Sequence, residues 1–141
     1  MDYSEFLDYC KNNHMQEVND FLKNFSKVLG SGLSAACNNG NSAIVSRLVE
    51  VPGLDINYQD EKYGDTAAHR ASMNGHTECV RILAETGRVD WNKRDKCGYT
   101  PLYCALEYGR SDIVDIIVQQ PNIDYNVKTD PGARAGHQLP E

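Results

Sequence analysis

The sequence predicts an all-α fold, a solenoid of helix–turn–helix units joined by β-hairpin connectors. Two observations carry this prediction. A block of 34 or 35 residues recurs along the chain, and periods of this length are typical of stacked supersecondary units. Within each block, apolar residues recur at helical spacing on both sides of a glycine, as expected for two short helices with a turn between them.

The composition indicates one globular domain and argues against two classes of partner. The chain has 141 residues, of which 40% are hydrophobic and 24% charged, and its net charge is -6. An acidic protein does not attract phosphate backbones, so we expect no nucleic-acid partner. No apolar run approaches the roughly 18 residues that a membrane helix needs, so we expect no membrane partner.

The amino terminus and the cysteines predict a cytoplasmic or nuclear protein. Residues 1–5 lack the basic and apolar segments of a secretory leader. The five cysteines are an odd number and have no C-x-x-C spacing, which argues against a disulfide framework and a zinc site. We therefore expect reduced thiols.

The last two repeats give the clearest match. Residues 66–71 (T-A-A-H-R-A) recur 34 positions later as residues 100–105 (T-P-L-Y-C-A). The match continues at the same offset through the pairs Gly75/Gly109, Val80/Val114, Ile82/Ile116, Leu83/Ile117, Asp90/Asp124 and Asn92/Asn126. These two repeats span about residues 65–98 and 99–131.

Two further copies lie upstream. At an offset of 35 the aligned pairs include Gly40/Gly75, Val45/Val80 and Leu48/Leu83, which predicts a repeat over about residues 31–64. At an offset of 27 they include Cys10/Cys37, Val18/Val45 and Phe21/Leu48, which predicts a half-repeat over about residues 3–30 with a shortened connector at 24–31. The array forms a single domain over residues 1–130, and residues 132–141 form a C-terminal tail or a truncated next repeat.

Each full unit carries the same signals in the same order. Gly40, Gly75 and Gly109 are predicted to end a first helix, because glycine reaches the left-handed conformation at little cost. Ser42, Thr77 and Ser111 are predicted N-caps of second helices over residues 43–51, 78–85 and 112–119. The connectors carry Asp-x-Asn at 55/57, 90/92 and 124/126, and two of them reach a later glycine, Gly64 or Gly98, which predicts a β-hairpin.

In these motifs the chain resembles the ankyrin repeat family. The resemblance covers about residues 3–132 and rests on the combination of Y-T-P-L-Y-C-A (99–105), D-T-A-A-H-R-A (65–71), G-H-T-E (75–78) and V-D-W-N (89–92). The chain departs from the family pattern at residues 31–34, where S-G-L-S is a degenerate T-P-L-H, and at residues 52–54 and 121–123. The resemblance implies a solenoid of three full repeats after an N-terminal half-repeat.

His69 is the strongest candidate for chemistry, and its position favours a structural role. In the T-P-L-H slot, the resemblance implies that this imidazole bonds to backbone and to the threonine hydroxyl at the helix start. A catalytic histidine needs a nucleophile or acid partner at a recognisable spacing, and the sequence offers none. Tyr103 fills the same slot in the next repeat. We expect no catalytic residue, no metal site, no cofactor and no enzyme activity.

The resemblance implies a non-enzymatic module that binds another protein or a peptide. Its partner face is formed by the connectors and the first helices, and tyrosines there are expected anchors because tyrosine is enriched in interfaces. The predicted contact residues are Gln59, Glu61, Lys62, Tyr63, Asp65, Met73, Asn74, Arg94, Lys96, Tyr99, Glu107 and Tyr108.

Two alternative functions stay open at this point. The chain could be the substrate of an asparaginyl hydroxylase, because Asn57, Asn92 and Asn126 lie in the connector context that such enzymes modify in ankyrin proteins. It could also be a cysteine-dependent enzyme that uses Cys97 or Cys104, although no base is placed for either thiol.

The two ends of the array are predicted to differ. Residues 15–25 carry their apolar residues along one narrow stripe, as a finished terminal cap should. Residues 111–118 carry five apolar residues among eight, which is typical of an internal unit. We therefore expect Ile113, Ile117 and their neighbours to need cover from residues 127–141, from downstream sequence, from a partner, or from a second copy that self-associates through the C-terminal repeat.

Overall fold

The computed structural model describes residues 2–12 and 14–125. These residues form seven α-helices and, among themselves, no β-strand. The helices are α1 (Tyr3–Lys11), α2 (Met15–Asn39), α3 (Ser42–Leu48), α4 (Ala67–Asn74), α5 (Thr77–Glu85), α6 (Pro101–Glu107) and α7 (Ser111–Val118).

The helices from α2 onwards pack as successive pairs in two layers. The first helices α2, α4 and α6 stack on one another, and the second helices α3, α5 and α7 stack beside them. The core between the layers is apolar and includes Leu33, Val45, Val80, Leu83 and Leu102. The predicted all-α solenoid is therefore confirmed.

Glycine turns join the two helices of each pair, as predicted. Gly40, Gly75 and Gly109 have φ angles of 75°, 75° and 68°, which lie in the left-handed region. The predicted N-caps are wrong, because α3, α5 and α7 begin at those residues without a side-chain cap. At the first two turns, the backbone N–H of Ser42 and Thr77 instead donates to the carbonyl of the turn glycine.

Helix α2 contains the largest departure from prediction. The connector expected at 24–31 is wrong, because this segment lies inside the 25 residues of one continuous helix. The segment contains no proline. The helix continues through Ser31, and no second helix begins there. Gly30 is buried where Tyr58 packs, since a Cβ at Gly30 would lie 2.6 Å from the Tyr58 Cβ. The small residue allows a connector to contact the helix directly.

The connectors before α4 and α6 are compact turns. The Asp60 N–H donates to the Asp65 carbonyl at 3.0 Å, and the Asp95 N–H donates to the Tyr99 carbonyl at 2.9 Å. The Lys96 N–H donates to the Tyr63 carbonyl, also at 2.9 Å, and so joins one turn to the next. Paired strands are absent from the described residues, so the predicted β-hairpin geometry is not confirmed.

Two apolar residues of helix α7 are fully buried. Ile113 and Ile117 are only 1% and 0% exposed and belong to the apolar core. Helices α5 and α6 pack against α7. The expected further cover for Ile113, Ile117 and their neighbours, among which Val114 and Val118 are partly buried, stays a prediction. Asn126, the predicted fold-back segment 127–141 and the tail over 132–141 lie outside the described residues, and the predicted repeat boundaries remain predictions.

Candidate functional site

A cleft of about 450 Å³ lies where α2, the first connector and the start of α4 meet. We call it the connector cleft. Its lining is polar and aromatic, and its residues are Ser31, Ser34, Ala35, Asn38, Tyr58, Asp60, Glu61, Lys62, Tyr63 and Arg70. The cleft therefore brings together three of the predicted contact residues, Glu61, Lys62 and Tyr63.

The Tyr63 ring lies near two cations at the edge of the connector cleft. The Lys62 ammonium is 5.1 Å from the ring centroid, and the Arg70 guanidinium carbon is 5.7 Å from it. Cations at such distances are attracted to the face of an aromatic ring. The ring is thus held in place while part of it stays accessible.

Arg70 links the cleft to the buried start of α4. Its guanidinium lies 3.4 Å from a carboxylate oxygen of Asp60 and 3.4 Å from one of Asp65. Burial raises the pKa of Asp60, but hydrogen bonds from the Tyr63 N–H and from Arg70 outweigh this effect and hold that pKa below its ordinary value. Asp60 thus stays ionised and fixes both the connector and Arg70.

The predicted contact residues separate into accessible and buried groups. The exposed ones are Glu61, Lys62, Asn74, Arg94, Lys96 and Glu107, and the partly buried ones are Gln59, Tyr63 and Tyr108. Asp65, Met73 and Tyr99 are buried, which corrects their prediction as surface contacts. Tyr99 is covered because its ring lies 4.4 Å from the ring of Tyr103, in an apolar cluster that also holds Met73 and Cys104.

Some accessible residues also hold the connectors together. The Gln59 amide donates to the carbonyls of Gly64 and Arg94, each at 2.9 Å. Lys96 donates to the Glu61 carbonyl, and Lys27 of α2 pairs with the Glu61 carboxylate at 2.5 Å. The exposed edge is therefore cross-linked between repeats, and it presents a preformed surface.

His69 locks the start of α4 and reaches the next repeat. Its Nδ1 accepts from the Thr66 N–H at 3.1 Å and lies 2.8 Å from the Thr66 hydroxyl. Because Nδ1 accepts, Nε2 carries the proton and donates to the Tyr99 carbonyl at 2.7 Å. Both ring nitrogens are occupied, and the side chain is fully buried.

The buried region around His69 contains a cluster with the residue types of a metal site. Asp65, His69 and Asp95 are buried and bring one ligand atom each within 4.8 Å of one another. Asp95 accepts from the backbone N–H groups of Cys97 and Tyr99 at 2.9 and 3.0 Å. A metal would have to displace these bonds or those of His69, so the geometry supports a structural role for the cluster.

The Asp-x-Asn motif joins neighbouring repeats. Asp55 accepts from the Asn57 N–H within one connector, and Asp90 does the same for Asn92, both at 3.0 Å. The Asn57 amide then donates to the Arg88 carbonyl and accepts from the Asp90 N–H, at 3.1 and 2.8 Å. The Asn92 amide makes the equivalent bonds to residues 122 and 124.

Comparison with known families identifies the architecture. The family described as "Ankyrin repeats (3 copies)" matches residues 33–129. The chain belongs to the ankyrin repeat family. Ankyrin repeats are protein-interaction modules, so membership accounts for a scaffold with a preformed surface.

The similar proteins have diverse names. The chain is 45% identical to cortactin-binding protein 2 of Rattus norvegicus over 71 residues, which cover 50% of this chain and 4% of that protein. It is 34% identical to E3 ubiquitin-protein ligase KEG of Arabidopsis thaliana over 60% of this chain and 5% of that protein. It is 32% identical to alpha-latrotoxin-Lg1a of Latrodectus geometricus over 64% of this chain and 6% of that protein. The chain thus spans a small part of the length of these relatives.

Two residues that join neighbouring repeats of the ankyrin array were not predicted from the sequence. His76 packs on the turn at Gly40, where a Cβ would lie 2.6 Å from its Nδ1, and its Nε2 lies 3.1 Å from the Asn38 carbonyl. Arg110 repeats the arrangement one unit later, over Gly75 and the Met73 carbonyl. A polar residue directly after the turn glycine is the sequence signal for this contact between neighbouring turns.

Sequence reasoning also missed the part of the connector cleft that α2 supplies. Asn38 aligns with Met73 in the next repeat, and Met73 was a predicted contact residue. The repeat alignment therefore contained the signal that Asn38 of the first repeat belongs to the same face.

Across the described residues, no helix combines the length and apolar character that a bilayer crossing needs.

Buried cysteines weaken the hypothesis of a thiol enzyme. Burial raises the pKa of Cys37, and the adjacent Cys79 thiol raises it further. Burial also raises the pKa of Cys79. Thiolates are the reactive form, so this pair suits packing between repeats. Of the two cysteines named as candidate nucleophiles, Cys104 is buried and Cys97 is partly buried in the same apolar cluster.

Proposed function

We propose that the chain recognises a protein or peptide partner through the accessible face around the connector cleft. The cleft itself is the observation that carries the proposal, because it is concave, polar-rimmed and built from two repeats and the connector between them. The accessible predicted contacts form the contact set: Gln59, Glu61, Lys62, Tyr63, Asn74, Arg94, Lys96, Glu107 and Tyr108.

The charges of this face favour a partner with mixed polar groups. Lys62 and Arg70 supply cations beside Tyr63, while Asp60 and Glu61 supply anions within the same cleft. Interfaces of this kind gain orientation from the charges and contact area from a tyrosine anchor. Preformed connectors also reduce the ordering cost of binding, which favours affinity.

Comparative capture from cell extract tests the proposal. The baits are the wild type, a Lys62→Ala/Tyr63→Ala variant, and a Glu78→Ala/Arg81→Ala control on the exposed side of α5. Proteins bound by the wild type should be lost with the cleft variant and kept with the control. Direct titration of one purified partner should then show at least about tenfold weaker binding for the cleft variant. If the cleft variant still captured these proteins, the proposal would be contradicted. Loss of the same proteins with the control variant would also contradict it.

The hydroxylase hypothesis makes a separate prediction. In the described residues, the amides of Asn57 and Asn92 both bridge neighbouring repeats, so a modifying enzyme would act on groups that already stabilise the array. An added oxygen on Asn57 or Asn92 in chain purified from animal cells would support this hypothesis. Unmodified mass under the same expression would argue against it.

A further inference from the structure

A second cleft lies beside the connector cleft. It has a volume of about 680 Å³ and lies between residues 23–27 of α2 and residues 55–61 of the first connector. We call it the α2 cleft. Tyr58 and Glu61 line both clefts, so the two meet at the first connector. The α2 cleft follows from the continuity of α2, because residues 23–27 lie one to two turns before Ser31 in the same helix.

One side of α2 runs along both clefts. Lys23 and Lys27 line the α2 cleft, and Ser31, Ser34 and Asn38 line the connector cleft. Successive members of this set are three or four residues apart, so they share one side of the helix. At 1.5 Å per residue, this side spans about 22 Å along the helix axis. An extended segment of about seven residues has the same length.

The carboxylates of the two clefts are engaged within the chain. Asp55 and Asp60 each accept a hydrogen bond from a backbone N–H of the first connector, at 3.0 and 2.6 Å. Glu61 pairs with Lys27 across the gap between the connector and α2. All three acidic side chains that line the clefts therefore already have donors in this chain.

Two cations of the clefts have no such engagement. Lys23 lines the α2 cleft and Lys62 lines the connector cleft, and both are exposed. Neither ammonium forms an ion pair with a residue that the structure describes. With Lys27 and Arg70, the combined lining holds four cations against three carboxylates, in a chain whose net charge is -6. This local excess of positive charge favours acidic groups on a partner.

We propose that the two clefts form one groove that binds an extended acidic segment of a protein partner. Carboxylates of that segment pair with Lys23 at one end and with Lys62 at the other. Tyr58, which packs on Gly30 between the two clefts, supplies contact area in the middle. This inference rests on the proposed function, because it names the kind of partner segment and extends the binding site along α2.

Selection from a displayed library of random peptides, each of about ten residues, tests the proposal. The baits are the full wild-type chain, a Lys23→Glu/Lys62→Glu variant, and a Lys11→Glu/Arg47→Glu control. The control changes the net charge by the same amount at exposed residues outside both clefts. Peptides selected by the wild type and the control should be enriched at least about twofold in Asp and Glu, whereas the cleft variant should select Lys and Arg. Circular dichroism should give the same melting temperature for all three proteins.

Fluorescence anisotropy with one peptide selected by the wild type tests whether the segment spans both clefts. Lys23→Glu and Lys62→Glu should each weaken binding at least about fivefold, and added salt should weaken the binding of the wild type. Absence of acidic enrichment would overturn the proposal, as would selection of the same peptides by the cleft variant. Unchanged binding by Lys23→Glu would also overturn it, because the segment would then occupy the connector cleft alone. Each of these results leaves the proposed function to its own test, the capture by the Lys62→Ala/Tyr63→Ala variant.

Discussion

The starts of the first and third repeats occupy equivalent positions in the sequence pattern and fold differently. At Thr100 the chain leaves a connector, the Thr100 hydroxyl accepts from the Tyr103 N–H at 3.2 Å, and Pro101 begins α6. At the equivalent Ser31, helix α2 runs on without a break. The pattern marks where a unit belongs, but the capping residue and the proline decide whether a new helix starts there.

This difference changes what is covered at each end. Ile113 and Ile117 of α7 are buried by α5 and α6. The continuous α2 instead leaves Leu22, Phe25 and Val28 exposed. An apolar residue in a repeat protein belongs to the core only where a neighbouring unit stacks over it. The exposure of Leu22, Phe25 and Val28 does not match the predicted finished N-terminal end, and the need of α7 for further cover stays a prediction.

The largest expected effect contrasts the two ends directly. Ile117→Ala should lower the free energy of unfolding by about 2 to 5 kcal/mol, because it opens a cavity in a fully packed site. Leu22→Ala should change it by less than about 0.5 kcal/mol, because the side chain is half exposed. Urea unfolding followed by circular dichroism measures both values. Equal losses would mean that α2 is covered in the same way as α7.

The next effect compares two residues of one repeat slot. His69→Ala should cost about 2 kcal/mol, because it leaves the Tyr99 carbonyl and the Thr66 N–H buried without this partner. Tyr103→Phe keeps the aromatic ring and should cost less than about 0.5 kcal/mol. Urea unfolding followed by circular dichroism measures both losses. A small loss for His69→Ala would argue against its role as a lock between repeats.

A smaller effect tests the two helix starts. Thr100→Ala should cost about 1 kcal/mol, because it removes the N-cap of α6. Ser31→Ala should be neutral or stabilising by a few tenths of a kcal/mol, because alanine is the better residue inside an exposed helix. Thermal unfolding of the two variants beside the wild type measures the difference. A clear loss of stability for Ser31→Ala would indicate that Ser31 caps a helix after all.

The smallest effect concerns pH. A hydrogen bond and the charge of Lys27 hold the pKa of Glu61 below its ordinary value. A lowered folded-state pKa stabilises above the ordinary carboxyl range, and this contribution is lost as the pH falls through the folded pKa. The effect is small because the pair is exposed. Carboxyl NMR titration should show a lowered pKa for Glu61 that returns toward normal in Lys27→Ala, and an unchanged pKa in that variant would refute the pairing.

Much of the fold follows from the sequence because the determinants are local. The second helix predicted at 78–85 is Thr77–Glu85, and the one predicted at 112–119 is Ser111–Val118. Left-handed glycines precede these two helices, and threonine N-caps fix the starts of the first helices α4 and α6. The continuity of α2 was harder to predict, since it depends on the absence of a strong break in a segment that otherwise aligns with the repeat.

The candidate site was predicted only in part, for a different reason. Lys62 and Tyr63 were found because the family pattern places connector residues on the partner face. Tyr99 shares that pattern but is buried, because Tyr103 stacks on its ring. Asp65 is buried at the start of α4, where its carboxylate pairs with the Arg70 guanidinium. Such pairings join residues of neighbouring elements, and periodicity does not reveal them.

Residue-resolved amide hydrogen exchange tests the central claim, the continuity of α2 across the start of the first repeat. The account predicts that amides of residues 26–33 are protected like those inside α6, because each donates within one helix, while amides of the exposed connector residues Glu61 and Lys62 exchange rapidly. Rapid exchange over residues 26–31, at the rate of those connector amides, would contradict the account and restore a separate connector at that position.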